Sequence, residues 1–368
     1  MNGNRSGEVA SIVSRSFGLS ALITAVIAAC LLFVLWAPLS QYLGIYLDPS
    51  LRGMICAITI MLAANLVIPE VFRGMLFSRL ANLVGSTAFN VMFATMVGFC
   101  LLVSTQLPLS TILLLLATAL LIATIAGSIL FFIKAPRPRV PSSASLLSIL
   151  VTSSPFLTSH IGSFVMLNGD LWVASNSFGP DDAGVYGAAS RLALMVGIPS
   201  QIGISVIIGN IAHLAALNLR SDIESVARRA ATVFALSGLV IALPFVCFGA
   251  PLMRAVYGAG FETGGALLAT LAVGQLVSTV GGAAQSVMML SGGQRRVMLL
   301  TVGFAFLNYF VASHFGAAHG LIGIAAVYAA GLGAYSCSLI LSARLMLGIR
   351  TIPSLVELKS IVRLSGHI

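Results

Sequence analysis

Three observations predict an all-α polytopic membrane protein of about ten transmembrane helices. The first is composition. Of 368 residues, 58% are hydrophobic and only 8% are charged, whereas soluble domains carry about 25% charged residues. Mean hydropathy is +1.06. The second is a series of apolar runs, each near the ~20 residues that a spanning helix needs. The third is the way the cations alternate between those runs.

The runs lie approximately at 17–38, 54–74, 84–104, 109–133, 147–167, 186–213, 230–249, 264–290, 297–315 and 320–345. With the N-terminus placed in the cytoplasm, sixteen of the 19 Lys and Arg fall in inner segments. Arg52 and Arg254 are outer, and Arg191 lies at or within a span. A miscounted span would scramble this alternation, so both termini are expected inside. The formal charge of +9 therefore reads as topology and contact with anionic lipid headgroups, not with nucleic acid.

At the N-terminus, Arg5 and Arg15 precede an apolar run ending Ile27-Ala28-Ala29-Cys30, which resembles a lipoprotein cleavage box. LLFVLWAPL follows where a mature lipoprotein turns polar, so 17–38 is expected to be one uncleaved span. In the second run, Glu70 and Arg73 stand at i,i+3 and share a helix face. They read first as an interfacial ion pair, with a place in a cavity as the alternative.

Lys134 to Ser145, KAPRPRVPSSAS, holds three prolines and three cations and suits an inner-face linker. It divides the chain into a membrane lobe of four helices, 1–133, and one of six, 146–368, with an amphipathic tail. In the second lobe Pro155, Pro199 and Pro244 fall within predicted helices, where they remove backbone hydrogen bonds and kink the chain. Polar residues share these spans, among them Gln201, Asn210, Gln275 and Gln285. Helix-to-helix bonding accounts for most of them. His160 reads as a core histidine, because no carboxylate lies one turn away. The cysteines Cys30, Cys56, Cys100, Cys247 and Cys337 are widely spaced inside apolar runs. They read as small core hydrophobes, with no metal or disulfide spacing.

The chain is organised around Asn168 to Arg191, NGDLWVASNSFGPDDAGVYGAASR. Here FGPDDAGVY reads as a short extracytoplasmic turn: Gly179 and Pro180 break one helix, and Gly184 starts the next. Asp170 and Arg191 flank the turn at or inside apolar runs. A charge at mid-depth costs roughly 2.5–3.5 kcal/mol on insertion scales, so it faces a partner or a wet cavity, or snorkels to water. Tyr186 is expected at the interface, which would set Arg191 about 7.5 Å deeper along a helix.

Ser221 with Glu224, and Ser354 with Glu357, match capping boxes and suggest two helices lying on the inner surface. Leu290 to Gln294 spells LSGGQ, the signature peptide of ABC-type ATPases. It stands between two spans, with no GxxxxGK[ST] loop anywhere in the chain, and reads as a glycine turn. No nucleophile elbow, HExxH or Cys/His cluster is present. An enzyme is not expected, and no cofactor is called for.

From about Ser153 onward the chain resembles the polysaccharide flippases of the multidrug, oligosaccharidyl-lipid and polysaccharide exporter superfamily. The resemblance rests on three stretches in order. NGDLWVASNSFGPDDAGVYGAASRLA places Asp170, Gly184, Tyr186 and Arg191 at the family's seventh-to-eighth-span passage. VYGAGFETGGALLATLAVGQ, Val256 to Gln275, is similar to its later Phe/Tyr-Gly-x-x-Phe opening of a span. FGAAHGLIGIAAVYAAG, Phe315 to Gly331, is similar to its closing Gly-x-x-Gly-x-x-Ala element.

The resemblance implies two MATE-like lobes around a cavity that alternates between faces. Against that pattern the first lobe is incomplete, since the two helices that usually begin it have no counterpart. It also implies flipping of undecaprenyl-pyrophosphate oligosaccharides across the bacterial inner membrane by rocking about the linker. Arg191 would meet the pyrophosphate, and the amides would meet sugars. A polysaccharide polymerase and glycosyltransferases of the same pathway would be its partners. Two alternatives stay open. One is a drug or cation exporter of the same fold, for which Asp170 and Glu70 are the only carboxylates near the interior. The other is a truncated, non-transporting membrane protein.

Overall fold

The computed structural model describes residues 48–74, 80–81, 83–103, 108–134 and 146–354, with isolated positions at 24, 26, 29 and 30. It divides into two compact units, residues 1–145 and 146–368. Run 17–38 and the segment after Ser354, which includes Glu357, lie largely or wholly outside the described residues.

The first unit holds α1 (Pro49–Gly74), α2 (Ala88–Val103) and α3 (Leu109–Lys134). Ile68 and Phe72 of α1 pack with Ala81 and Val84 into its core. Buried Asn65 donates to the Leu120 carbonyl at 3.2 Å and to Thr124 Oγ1, tying α1 to α3. Such amide bonds hold helices together where the apolar lipid supplies no driving force. Glu70 and Arg73 fall within α1, but their side chains are outside the described set.

The second unit holds α4 (Leu146–Phe178), α5 (Pro180–Ala193), α6 (Ile198–Ala216), α7 (Arg220–Cys247), α8 (Gly249–Tyr257), α9 (Gly265–Leu290), α10 (Gln294–Val311) and α11 (Gly320–Leu347). Helix α9 is central and packs on α11, α7, α5 and α6, while α10 packs on α4. The α9–α11 seam is made of small residues. A Cβ on Gly274 would lie 2.6 Å from the Ala329 Cα, and one on Gly281 would lie 2.6 Å from the Ser336 hydroxyl. Only glycine lets the helices approach this closely.

Among the described residues, seven helical segments are long and apolar enough to cross a membrane. The last, Gln294–Leu347, is α10 and α11 joined by a corner at Ala312–His319. The predicted run 147–167 falls inside α4, the side chains of whose first turns are outside the described set. Along α7, Leu236, Leu239, Val240, Leu243 and Val246 are exposed. They repeat at helical spacing as one apolar stripe, the surface that lipid covers.

The prolines sit as their chemistry demands. Pro155, inside α4, cannot donate to the Val151 carbonyl, and the Ser154 hydroxyl donates there instead at 2.9 Å. Pro244 lies inside α7. Pro199 lies within the continuous helical segment Pro180–Ala216, as expected, just after the α-helical pattern tightens to a 3₁₀ turn at Leu194–Gly197.

Four local expectations are corrected. The turn after α4 is a single residue, Gly179, at φ 87°. Pro180 already opens α5, so Gly184 lies inside the helix, and Asp181 and Asp182 occupy its first turn, where they complement the helix dipole. Ser221 and Glu224 belong to the first turns of the long α7 and cap no separate surface helix. Glu224 instead accepts from the Arg350 backbone N–H at 3.1 Å. His160 is exposed, on the side of α4 away from buried Ser159 and Gly162. The cysteines are not core: Cys30, Cys247 and Cys337 are exposed, and Cys56 and Cys100 half-buried. Thiols on outward faces contact lipid as readily as protein, which apolar context alone does not distinguish.

Candidate functional site: a polar cavity in the second unit

Helix α9 carries Gln275, Ser278, Thr279, Gly282 and Gln285 at i, i+3, i+4, i+7 and i+10, one stripe of its surface. Helix α11 carries Leu332, Tyr335, Ser336 and Leu339, also spaced i, i+3, i+4 and i+7. Ser163, Met166 and Leu167 of α4 face the same space, as do Gly197 of the 3₁₀ turn and Ser200 and Gln201 of the first turn of α6. Together these residues line a cavity of about 200 Å³. Gln201 and Gln275 converge over Gly197: the Gln201 Nε2 and the Gln275 Oε1 each lie 3.7 Å from where a Cβ on Gly197 would stand. Among the described residues, none of the three glutamine amides has a protein partner.

Three of the lining hydroxyls are anchored from behind. Ser200 donates to the Gly197 carbonyl at 2.8 Å, and Thr279 to that of Leu276 at 2.7 Å. Thr301 of α10 donates to the Val297 carbonyl at 2.8 Å. With that proton committed, the 2.8 Å contact between Thr301 Oγ1 and the Tyr335 hydroxyl is a bond donated by Tyr335.

A second polar cluster lies outside the cavity. Asp170 is 5% exposed. Its Oδ1 accepts from the Leu171 N–H at 2.9 Å, and its Oδ2 from the Tyr186 hydroxyl at 3.1 Å. Tyr186 is fully buried and so does not mark an interface. The Tyr328 hydroxyl stands against Gly169, where a Cβ would lie only 2.4 Å from it. Neither that hydroxyl nor the Asn308 Nδ2 has a partner among the described residues.

The predicted site residues thus separate. Gln201, Gln275 and Gln285 come together in the cavity. Asp170 and Tyr186 pair elsewhere in the core. Arg191 is exposed and lines no part of the cavity. Five positions past Tyr186 is about 140° around a helix of 3.6 residues per turn, which turns Arg191 away from the buried face. Asn210 is exposed as well. It stands nine positions past Gln201, about two and a half turns on, and so on the opposite side of α6. The lining hydroxyls at Ser163, Ser200, Ser278, Thr279, Tyr335 and Ser336 were not anticipated, although the polar spacing along α9 and α11 was there to find. Among the described residues, no cluster of His, Cys, Asp and Glu has a geometry for metal.

No family model matches the chain, and no curated protein does. Solved structures do. A crystal structure of MATE in complex with MaL6 aligns at TM-score 0.68 and 15% identity, covering 94% of this chain and 84% of that one. The fold is MATE-like. A MOP superfamily transporter from Pyrococcus furiosus aligns at TM-score 0.67 and 13% identity, with the same coverage. The lipid II flippase MurJ, in an inward closed conformation, aligns at 0.66 and 14%, covering 94% of this chain and 74% of that one. The likeness is one of chain path. Within its MATE-like fold, this chain sets a neutral, hydrogen-bonding cavity among α4, α6, α9 and α11 of the second unit.

Proposed function

We propose that the chain is a membrane transporter that flips lipid-linked saccharide units, carried on undecaprenyl pyrophosphate, across the bacterial inner membrane for polysaccharide assembly. The carrying observation is the cavity wall: three free glutamine amides and a set of hydroxyls, with no charged side chain among the lining residues. Sugars offer many hydroxyls and no charge, and such a wall matches them. An organic cation would be served better by a carboxylate. At about 200 Å³ the cavity is below the roughly 300–1,000 Å³ of drug-sized pockets and holds one part of a longer ligand. On this reading Arg191 meets the carrier's phosphates outside the cavity, and the glycosyltransferases and polymerase of the pathway are partners.

A second reading, an ion-driven drug or cation exporter, is favoured by one observation: Asp170, a carboxylate buried in the core and held by Tyr186. The two separate in a strain lacking its own saccharide flippase. The chain is expected to restore surface polysaccharide, and Gln275→Leu with Gln285→Leu to abolish that at unchanged membrane level. Raised tolerance to cationic drugs without restored polysaccharide would replace the first reading with the second.

A further inference from the structure

At the end of the second unit remote from the α4–α5 turn, α11 stops at Gly348, which takes a left-handed φ of 70°, and its N–H bonds back to the Arg344 carbonyl. The chain then folds along α7. Ile349 is buried, the Arg350 N–H donates to Glu224 Oε2 at 3.1 Å, and the Ser354 N–H donates to Thr232 Oγ1 at 3.1 Å. This strap closes a cavity of about 310 Å³ lined by Arg228, Ile340, Arg344, Arg350, Thr351, Ile352 and Pro353. Three arginines line it. Glu224 of α7 is engaged by the Arg350 N–H and by Arg228 Nη1 at 3.8 Å. Among the described residues, the guanidiniums of Arg344 and Arg350 have no carboxylate partner. Thr351 is fully buried, and its Oγ1 has no partner there either.

We propose that this cavity binds a phosphate group, that of an anionic phospholipid headgroup at the cytoplasmic rim of the membrane. Arginine forks match phosphate oxygens in bidentate pairs. The three arginines all fall in segments assigned to the inner face by the cation distribution, where anionic lipids face the protein. The proposal is independent of the saccharide reading. A bound headgroup would bridge α7, α11 and the strap, and so fasten the end of α11.

The test is native mass spectrometry of the full chain, purified from bilayers of phosphatidylcholine mixed with phosphatidylglycerol. Phosphatidylglycerol should stay bound through delipidation. Arg344→Gln with Arg350→Gln should lower its retention about tenfold, a change of about 1.4 kcal/mol. Arg254→Gln, on the opposite side by the same cation rule, should leave it unchanged. Arg344→Lys with Arg350→Lys keeps the charge and the fold and should retain an intermediate amount. Retention equal to the unmodified chain in both double variants would overturn the proposal. A thermal shift with inorganic phosphate in lipid-free detergent separates the sources. If free phosphate stabilises the unmodified chain but not the glutamine variant, while phosphatidylglycerol does not stay bound, the lipid assignment is overturned and a phosphate site stands.

Discussion

The Tyr186 hydroxyl donates to the Asp170 carboxylate at 3.1 Å, joining α5 to α4 across a turn of one residue. Both side chains are buried, and the pair fastens the hairpin on which the second unit's largest core cluster is built.

Removing either partner should therefore weaken the hairpin. Tyr186→Phe is expected to cost about 1–2 kcal/mol, the usual worth of such a bond. Asp170→Ala should cost more, because it strands the buried Tyr186 hydroxyl and leaves a small void. Thermal unfolding of the purified single and double variants in one detergent measures both. A double variant that loses the full sum of the two single losses would show that the residues act independently.

The α9–α11 seam makes a sharper prediction. Gly274→Val puts a branched side chain where even a Cβ would sit 2.6 Å from the Ala329 backbone. Overpacking costs about 1–3 kcal/mol or more where backbone must move. Low yield of folded protein by size-exclusion fluorescence is expected, whereas Gly184→Ala, whose Cβ meets nothing within 4 Å, should fold normally.

The class of the molecule is legible in its composition, since 58% hydrophobic and 8% charged residues leave little but membrane helices. Local pairing is harder to read. Asp170 and Tyr186 stand sixteen residues apart, and their meeting depends on how tightly the chain turns between them. Gly184 looked like a helix start, but Pro180 had already supplied a backbone angle fit for one. That longer helix buries Tyr186 and turns Arg191 outward. The glutamines of the cavity stood out as amides in apolar spans. The serines and threonine between them did not, because a lone hydroxyl in a membrane helix bonds its own backbone, as Thr279 and Ser200 do here.

Arg191 remains a defined test of phosphate recognition at the membrane. If it meets the carrier's pyrophosphate, Arg191→Lys should keep part of the transport and Arg191→Gln almost none, with equal protein by blot, because lysine preserves charge but not the planar fork. Complementation by Arg191→Gln at the level of the unmodified chain would leave only a snorkelling side chain.

The LSGGQ peptide is the α9–α10 turn. Gly292 takes φ 90°, and the Gly293 N–H bonds to the Met288 carbonyl at 2.7 Å. Gly292→Ala should destabilise by about 1 kcal/mol, since a side chain strains that backbone. Gln294→Ala should change neither stability nor transport, and the purified chain should release no phosphate from ATP. Nucleotide hydrolysis lost on the Gln294 substitution would contradict this.

The bond from Tyr335 to Thr301 has a direction, and the direction has a consequence. Tyr335 spends its proton on the helix behind it, as Ser200 and Thr279 spend theirs on carbonyls. These three oxygens face the cavity with lone pairs alone, while the glutamine nitrogens and the hydroxyls of Ser163, Ser278 and Ser336 remain as donors. The wall thus has fixed acceptors at Tyr335, Ser200 and Thr279 beside donors free to turn, and a guest rich in O–H groups can answer both.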